Sequence, residues 1–109
     1  MGAAIATPSQ SAPTAATLTT LYTVPSATTA VVSSVVVCNR SSTATTFRIA
    51  IRPLGAAIAD AQYLYYDFPI AGNDTFIATI GITLVATDVV SVYNTLATCS
   101  FNLFKQENT

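Results

Sequence analysis

Histidine and tryptophan are absent from this chain of 109 residues, methionine and lysine occur once each, and only four basic and five acidic side chains are present. Without imidazole, no Ser-His-Asp triad, histidine zinc site or histidine pH switch can be assembled from it. A net charge of −1 and a pI near 4.8 provide no basic surface for a phosphate backbone, so no nucleic-acid partner is expected. Ser, Thr, Asn and Asp interrupt every apolar run before the ~18 residues that cross a bilayer, and no membrane partner is expected either. Met1 to Ala6 lacks Lys and Arg and is cut short by Thr7-Pro8-Ser9-Gln10, which argues against a secretory signal; Ala6 stands where myristoylation needs Ser or Thr. There is no Gly-x-Ser-x-Gly elbow and no glycine-rich phosphate loop followed by Lys, and Lys105 lies near the polar end of the chain. The expectation is a protein that is not an enzyme and takes no cofactor.

What remains is 51% hydrophobic with a mean hydropathy of +0.54. Residues 1–17 hold Ala, Ser, Thr, Pro and Gln with a single Ile, too little apolar area to offset the entropy of ordering, and read as an extended or disordered N-terminal arm. From Leu18 the texture becomes short β-rich runs separated by turn residues: 18–24, 29–38, 45–52, 62–68, 75–85, 89–93 and 98–104. Thr45 to Arg52 is the clearest period-two segment, with Phe47, Ile49 and Ile51 on one face and Arg48 and Arg52 on the other. Gly81 marks a bend within 75–85, and Pro53 ends the strand before it. Turn signals every ~8 to 12 residues predict one antiparallel β-sandwich of seven to eight strands, immunoglobulin-like or jelly-roll-like. It spans 18–105, with a frayed tail at 106–109.

Four groups of side chains invite a chemical reading. Cys38 and Cys99 are either two small buried thiols or a bridge between sheets; without an export signal, free thiols are expected. Asp74 and Asp88 follow turn residues and are expected to cap them, while Asp60 and Asp67 lack the dense spacing of a calcium loop, so no metal is expected. Arg40, Arg48 and Arg52 are either solvated strand arginines that discourage edge pairing or bidentate partners for carboxylates on a neighbouring subunit. Tyr63, Tyr65 and Tyr66 are either core plus interface or a stacking platform for a sugar or base.

Natural soluble monomers keep about a quarter to a third of their surface charged, whereas 8% of this whole chain is charged. Such a molecule is expected to cover much of its surface with other subunits, including copies of itself.

The segments Leu21-Tyr22-Thr23-Val24-Pro25, 32–40 (Val-Ser-Ser-Val-Val-Val-Cys-Asn-Arg) and 45–53 (Thr-Thr-Phe-Arg-Ile-Ala-Ile-Arg-Pro) resemble small virion proteins of tailed bacteriophages, cyanophages among them. Gly81-Ile82-Thr83-Leu84, Thr87-Asp88-Val89-Val90, Val92-Tyr93 and Ser100-Phe101-Asn102 continue the resemblance over residues 18–104, with departures at Ser26 and Gln62. The resemblance implies a noncatalytic β-sandwich of the virion, assembled in the host cytoplasm. It would serve as a capsid decoration or cement protein, or alternatively as a neck, tail, baseplate or fibre component. Its partners would be other virion proteins. The arm, through Ile5, Pro8 and Pro13, and the domain, through Arg40, Arg48, Arg52, Tyr63 and Tyr65, are the expected contact residues. A carbohydrate-binding adsorption module is the rival function.

Overall fold

Period-two alternation does most of the work in this chain, and a few turn residues do the rest. In the computed structural model, residues 3–109 are described, with side chains described from residue 6 onward. Ten strands follow in order: β1 (Ala3–Ile5), β2 (Ser9–Ser11), β3 (Thr19–Thr23), β4 (Thr29–Asn39), β5 (Thr45–Arg52), β6 (Tyr63–Ile70), β7 (Thr75–Ala78), β8 (Ile82–Leu84), β9 (Val89–Asn94) and β10 (Cys99–Asn108). Between β5 and β6 lie two single 3₁₀ turns, Pro53–Gly55 and Asp60–Gln62. No helix among the described residues is long and apolar enough to cross a membrane.

The strands form two antiparallel sheets. The first has the order β1-β10-β4-β7, with β2 also on β10 and β8 also on β4; the second has the order β3-β9-β5-β6. Because β1 and β2 occupy one edge, and β7 and β8 the other, the ten strands fill eight positions. Each position in the first half of the chain pairs with its mirror in the second: β1 and β2 with β10, β3 with β9, β4 with β7 and β8, and β5 with β6. A single long antiparallel ribbon has thus been folded over itself, closed by the β10–β4 and β5–β9 pairs. This is the jelly-roll arrangement of a β-sandwich, one of the two architectures expected.

The two sheets bury a common core of Val24, Val32, Val35, Val37, Ile49, Val90, Val92, Phe101 and Leu103. Phe47 is its hub: its ring centroid lies 6.2 Å from Tyr65, 5.6 Å from Phe68, 5.5 Å from Phe76 and 6.2 Å from Phe101. Those rings come from both sheets, so the cluster holds the two layers together. Gly81, at φ +53°, makes the expected bend and separates β7 from β8. Gly72 serves close approach instead, since a Cβ there would lie 2.1 Å from the Ser42 carbonyl oxygen.

The arm is extended, one of its two readings, and pairs with its own chain through β1 and β2. Two expectations change. Residues 106–108 are not frayed; they continue β10, pairing with Thr29 to Val31 of β4 and with β1. The polar ending misled because backbone pairing on both sides of a strand does not depend on apolar side chains. Lastly, β6 departs from strict alternation.

That departure is a pair of register shifts. Phe47 faces Phe68, but Ile49 faces Tyr65 rather than Tyr66, the first extra residue being accommodated where Asp67 adopts φ +48°, and Ala50 then faces Tyr63 rather than Leu64. Tyr65 and Phe68 therefore both point inward, while Tyr63 and Tyr66 sit together outside. Tyr65 packs between Phe47, Phe68 and Phe76, half-buried against the core, which is the core part of its core-plus-interface reading.

Candidate functional site

Three surfaces distinguish this sandwich. The first is the outer face of the six-stranded sheet. Register places Thr29, Val31, Ser34, Val36 and Cys38 of β4 outward beside Ser100, Asn102, Phe104 and Gln106 of β10, with Thr75, Ile77 and Thr83 on one flank and Gln10 on the other. None of these carries a charge, and Ile77 is 61% exposed, Phe104 38% and Val31 37%. Water solvates such a face poorly, and a second protein surface replaces that water without stripping ions.

The opposite face holds the second feature. Arg48, on β5, lies with its guanidinium carbon 4.1 Å from the ring centres of both Tyr66 and Tyr93, and its Nε donates to Asp67 Oδ1 at 2.7 Å. The hydrogen bond to the Asp67 carboxylate pushes the Arg48 pKa further up, keeping the guanidinium charged between the two rings. Tyr63 meets Tyr66 edge-on at 4.8 Å. Beside them, Asp60, Tyr63 and Tyr66 line an open depression of about 460 Å³.

The third feature is the seam between arm and body. Asn94 is wholly buried; its Nδ2 donates to the carbonyls of Pro13 (3.3 Å) and Thr14 (3.4 Å), and its Oδ1 accepts from Cys99 N at 3.0 Å. Ala16 N donates to the Asn94 carbonyl at 2.8 Å. Beyond this anchor, Lys105 Nζ donates to Thr7 O at 2.6 Å and Ser9 Oγ at 3.0 Å and sits 4.5 Å from the Tyr22 ring centre. Tyr22 in turn donates its hydroxyl proton to Glu107. Burial, with help from the Glu107 carboxylate, raises the Tyr22 pKa, and burial lowers that of Lys105.

The arginines are engaged within the chain. Arg40 Nη2 donates to Ala97 O at 3.4 Å, Arg52 donates to Ala56 O at 2.7 Å and Gly55 O at 3.2 Å, and Arg48 has Asp67. Arg52 thereby ties down the loop after β5. Pro13 is buried beneath Asn94, so its expected role as a contact with another subunit gives way to anchoring the arm; Pro8 is exposed. The expectation for Ile5 falls on a side chain outside the described residues. Asp88 caps as expected, accepting from Leu54 N at 2.8 Å and Val85 N at 2.9 Å, and Asp74 accepts from Thr75 N at 2.8 Å. Among the described residues, no three His, Cys, Asp or Glu side chains gather closely enough to hold a metal ion.

Cys38 and Cys99 are free. They lie on adjacent strands of one sheet, not on facing sheets, and Cys99 stands opposite Asn39 while Cys38 stands opposite Ser100. Alternation then sends the two thiols to opposite faces, which no disulfide geometry bridges.

Sequence reasoning missed Asn94 and Lys105. Lys105 appeared to belong to a tail, although Leu103, Lys105 and Glu107 do keep a period of two. Asn94 looked like a turn residue, and nothing local distinguishes a buried asparagine from an exposed one. No protein-family model matches the chain, and no curated protein matches it.

Proposed function

We propose that the chain is a noncatalytic structural subunit of a tailed-phage virion, a capsid decoration or cement protein before a neck, tail, baseplate or fibre component. The observation that carries this reading is the charge-free outer face of the six-stranded sheet, with Ile77 61% exposed at its flank. A face of that kind is costly to keep in water and inexpensive to cover with protein. The resemblance to virion proteins supplies the particle; the sparse charge and the strand-paired arm supply the mode of attachment. Cryo-electron microscopy of the particle tests it, with the expectation that this sandwich fits density with its uncharged face against a neighbour. Particles lacking the chain refute it, and so does a purified chain that stays monomeric at millimolar concentration.

One observation favours the carbohydrate module as a second reading. Tyr66, 58% exposed, borders the depression that also includes Tyr63 and Asp60, and aromatic rings beside a carboxylate suit the apolar face and hydroxyls of a neutral sugar. An array of neutral oligosaccharides decides between the readings: saturable binding lost in Tyr66→Ala supports the module, and an array without binding removes it.

A further inference from the structure

The arm is fastened in an uneven way. Residues 13–16 are pinned to the core through Asn94, whereas from Ala6 to Ala12 no side chain is fully buried. That outer segment is held by backbone pairing along β10, by Lys105 on Thr7 and Ser9, and by Gln10 Nε2 donating to Asn102 Oδ1 at 2.8 Å. Each of its two strands is only three residues long. The boundary between pinned and unpinned chain falls at Pro13, whose ring stiffens the backbone there.

We infer that residues 3–12 exchange between copies of this chain: in the assembly each arm leaves its own β10 and takes the same register on β10 of a second copy. The inference rests on the reading of the chain as an assembly subunit. Every contact that holds the arm at home is available unchanged on an identical neighbour, so exchange gives up no pairing and closes the β10 edge that a departing arm would leave open. Since the contacts balance, local concentration decides, and subunits fixed side by side on a particle supply it. The geometry this requires is specific. With Ser11 opposite Phe101 of one copy and Pro13 under Asn94 of the other, only Ala12 bridges the two, so the neighbour's β10 must lie within about 7 Å of Pro13, as in two copies packed edge to edge along β10.

Gln10 and Asn102 are direct partners across β2 and β10. In a Cys38→Ser background, Gln10→Cys and Asn102→Cys chains are purified separately, mixed at high concentration under reduction, and then oxidised. Exchange predicts a disulfide-linked dimer of the two variants within the oligomer fraction, while neither variant alone gives it. Light scattering on the same mixture separates the outcomes: oligomers without the mixed disulfide overturn arm exchange and leave the subunit reading standing, whereas a mixture that is monomeric throughout overturns both. As a second measurement, the chain lacking residues 1–12 is expected to keep its β circular dichroism and lose at least tenfold in oligomer stability. Unchanged association of that shortened chain also overturns the inference.

Discussion

Replacing Asn94 by aspartate changes one atom type and almost no volume, yet it should be among the most damaging surface-neutral substitutions available in this fold. Asn94 is wholly buried, with its amide nitrogen 3.3 and 3.4 Å from two carbonyl oxygens and its amide oxygen receiving the Cys99 N–H at 3.0 Å. The Cys99 donor dictates which way round the amide lies. In Asn94→Asp the oxygen facing Cys99 is retained, but an acceptor replaces the donor that faced Pro13 and Thr14. At pH 7 the carboxylate is a buried charge against two carbonyls, at a cost of about 3–5 kcal/mol. Asn94→Ala instead leaves the Cys99 N–H without a partner, at about 2–3 kcal/mol. At ~4 °C per kcal/mol for a domain of this size, the aspartate variant should melt roughly 12–20 °C below the parent. The sign of its pH dependence follows from the same geometry. Burial and the facing carbonyls favour the protonated acid, so the folded-state pKa rises above the unfolded ~3.9. The penalty is then absent below that unfolded value and grows as pH rises through the folded one. Thermal melts followed by circular dichroism, parent and variant side by side at pH 7 and pH 4, read this out. A variant within 2 °C of the parent at pH 7, or a gap that does not narrow on acidification, would refute the buried-donor account.

Phe47→Ala removes the ring shared by both sheets and should cost about 3–5 kcal/mol, lowering the urea midpoint by roughly 2 M; Phe47→Leu should lose less than half of that. A raised Tyr22 pKa means the unfolded tyrosine releases its proton first, so stability should fall as pH climbs above about 10; Tyr22→Phe should remove that part of the fall in urea titrations at pH 9 and 11. Native-state labelling with a maleimide should modify Cys38, which is half-buried and outward-facing, and spare Cys99, which is fully buried with its thiol pKa pushed up by that burial. Denaturation without reductant should release two labelled sulfurs, and zero would contradict the free-thiol assignment.

How far local pattern reaches can be seen in β4 and β6. In β4 the valine-rich run of Thr29 to Cys38 foretold a central strand, and the strand is there, but the run did not say which of its residues face the core. In β6 the same reasoning grouped Tyr63 with Tyr65 and Asp67, and two register shifts, one at the positive-φ Asp67 and one between Tyr65 and Tyr63, broke that grouping. A positive φ at a non-glycine residue depends on what holds it, here the ion pair with Arg48, and that partner stands nineteen positions away. The arginines divide in the same way: Arg52 bonds carbonyls only three and four positions further along the chain, whereas the acceptors of Arg40 and Arg48, Ala97 and Asp67, are near only after folding. The charge-free sheet face had a compositional shadow in the scarcity of ionic residues. Which face would be left uncharged had none.

Composition and period-two patterning, read alone, determine that this chain makes an antiparallel sandwich, that it lacks imidazole chemistry, and that its surface is starved of charge. These are local properties, because each residue's side and solvent preference is set by its neighbours along the chain. Tertiary structure alone decided the ribbon's fold into a jelly roll, the inward turn of Tyr65, the burial of Asn94 beneath Pro13 and the tether from Lys105 to the arm. Each of those joins groups far apart in sequence, and its free energy exists only once the two sheets have closed on one another.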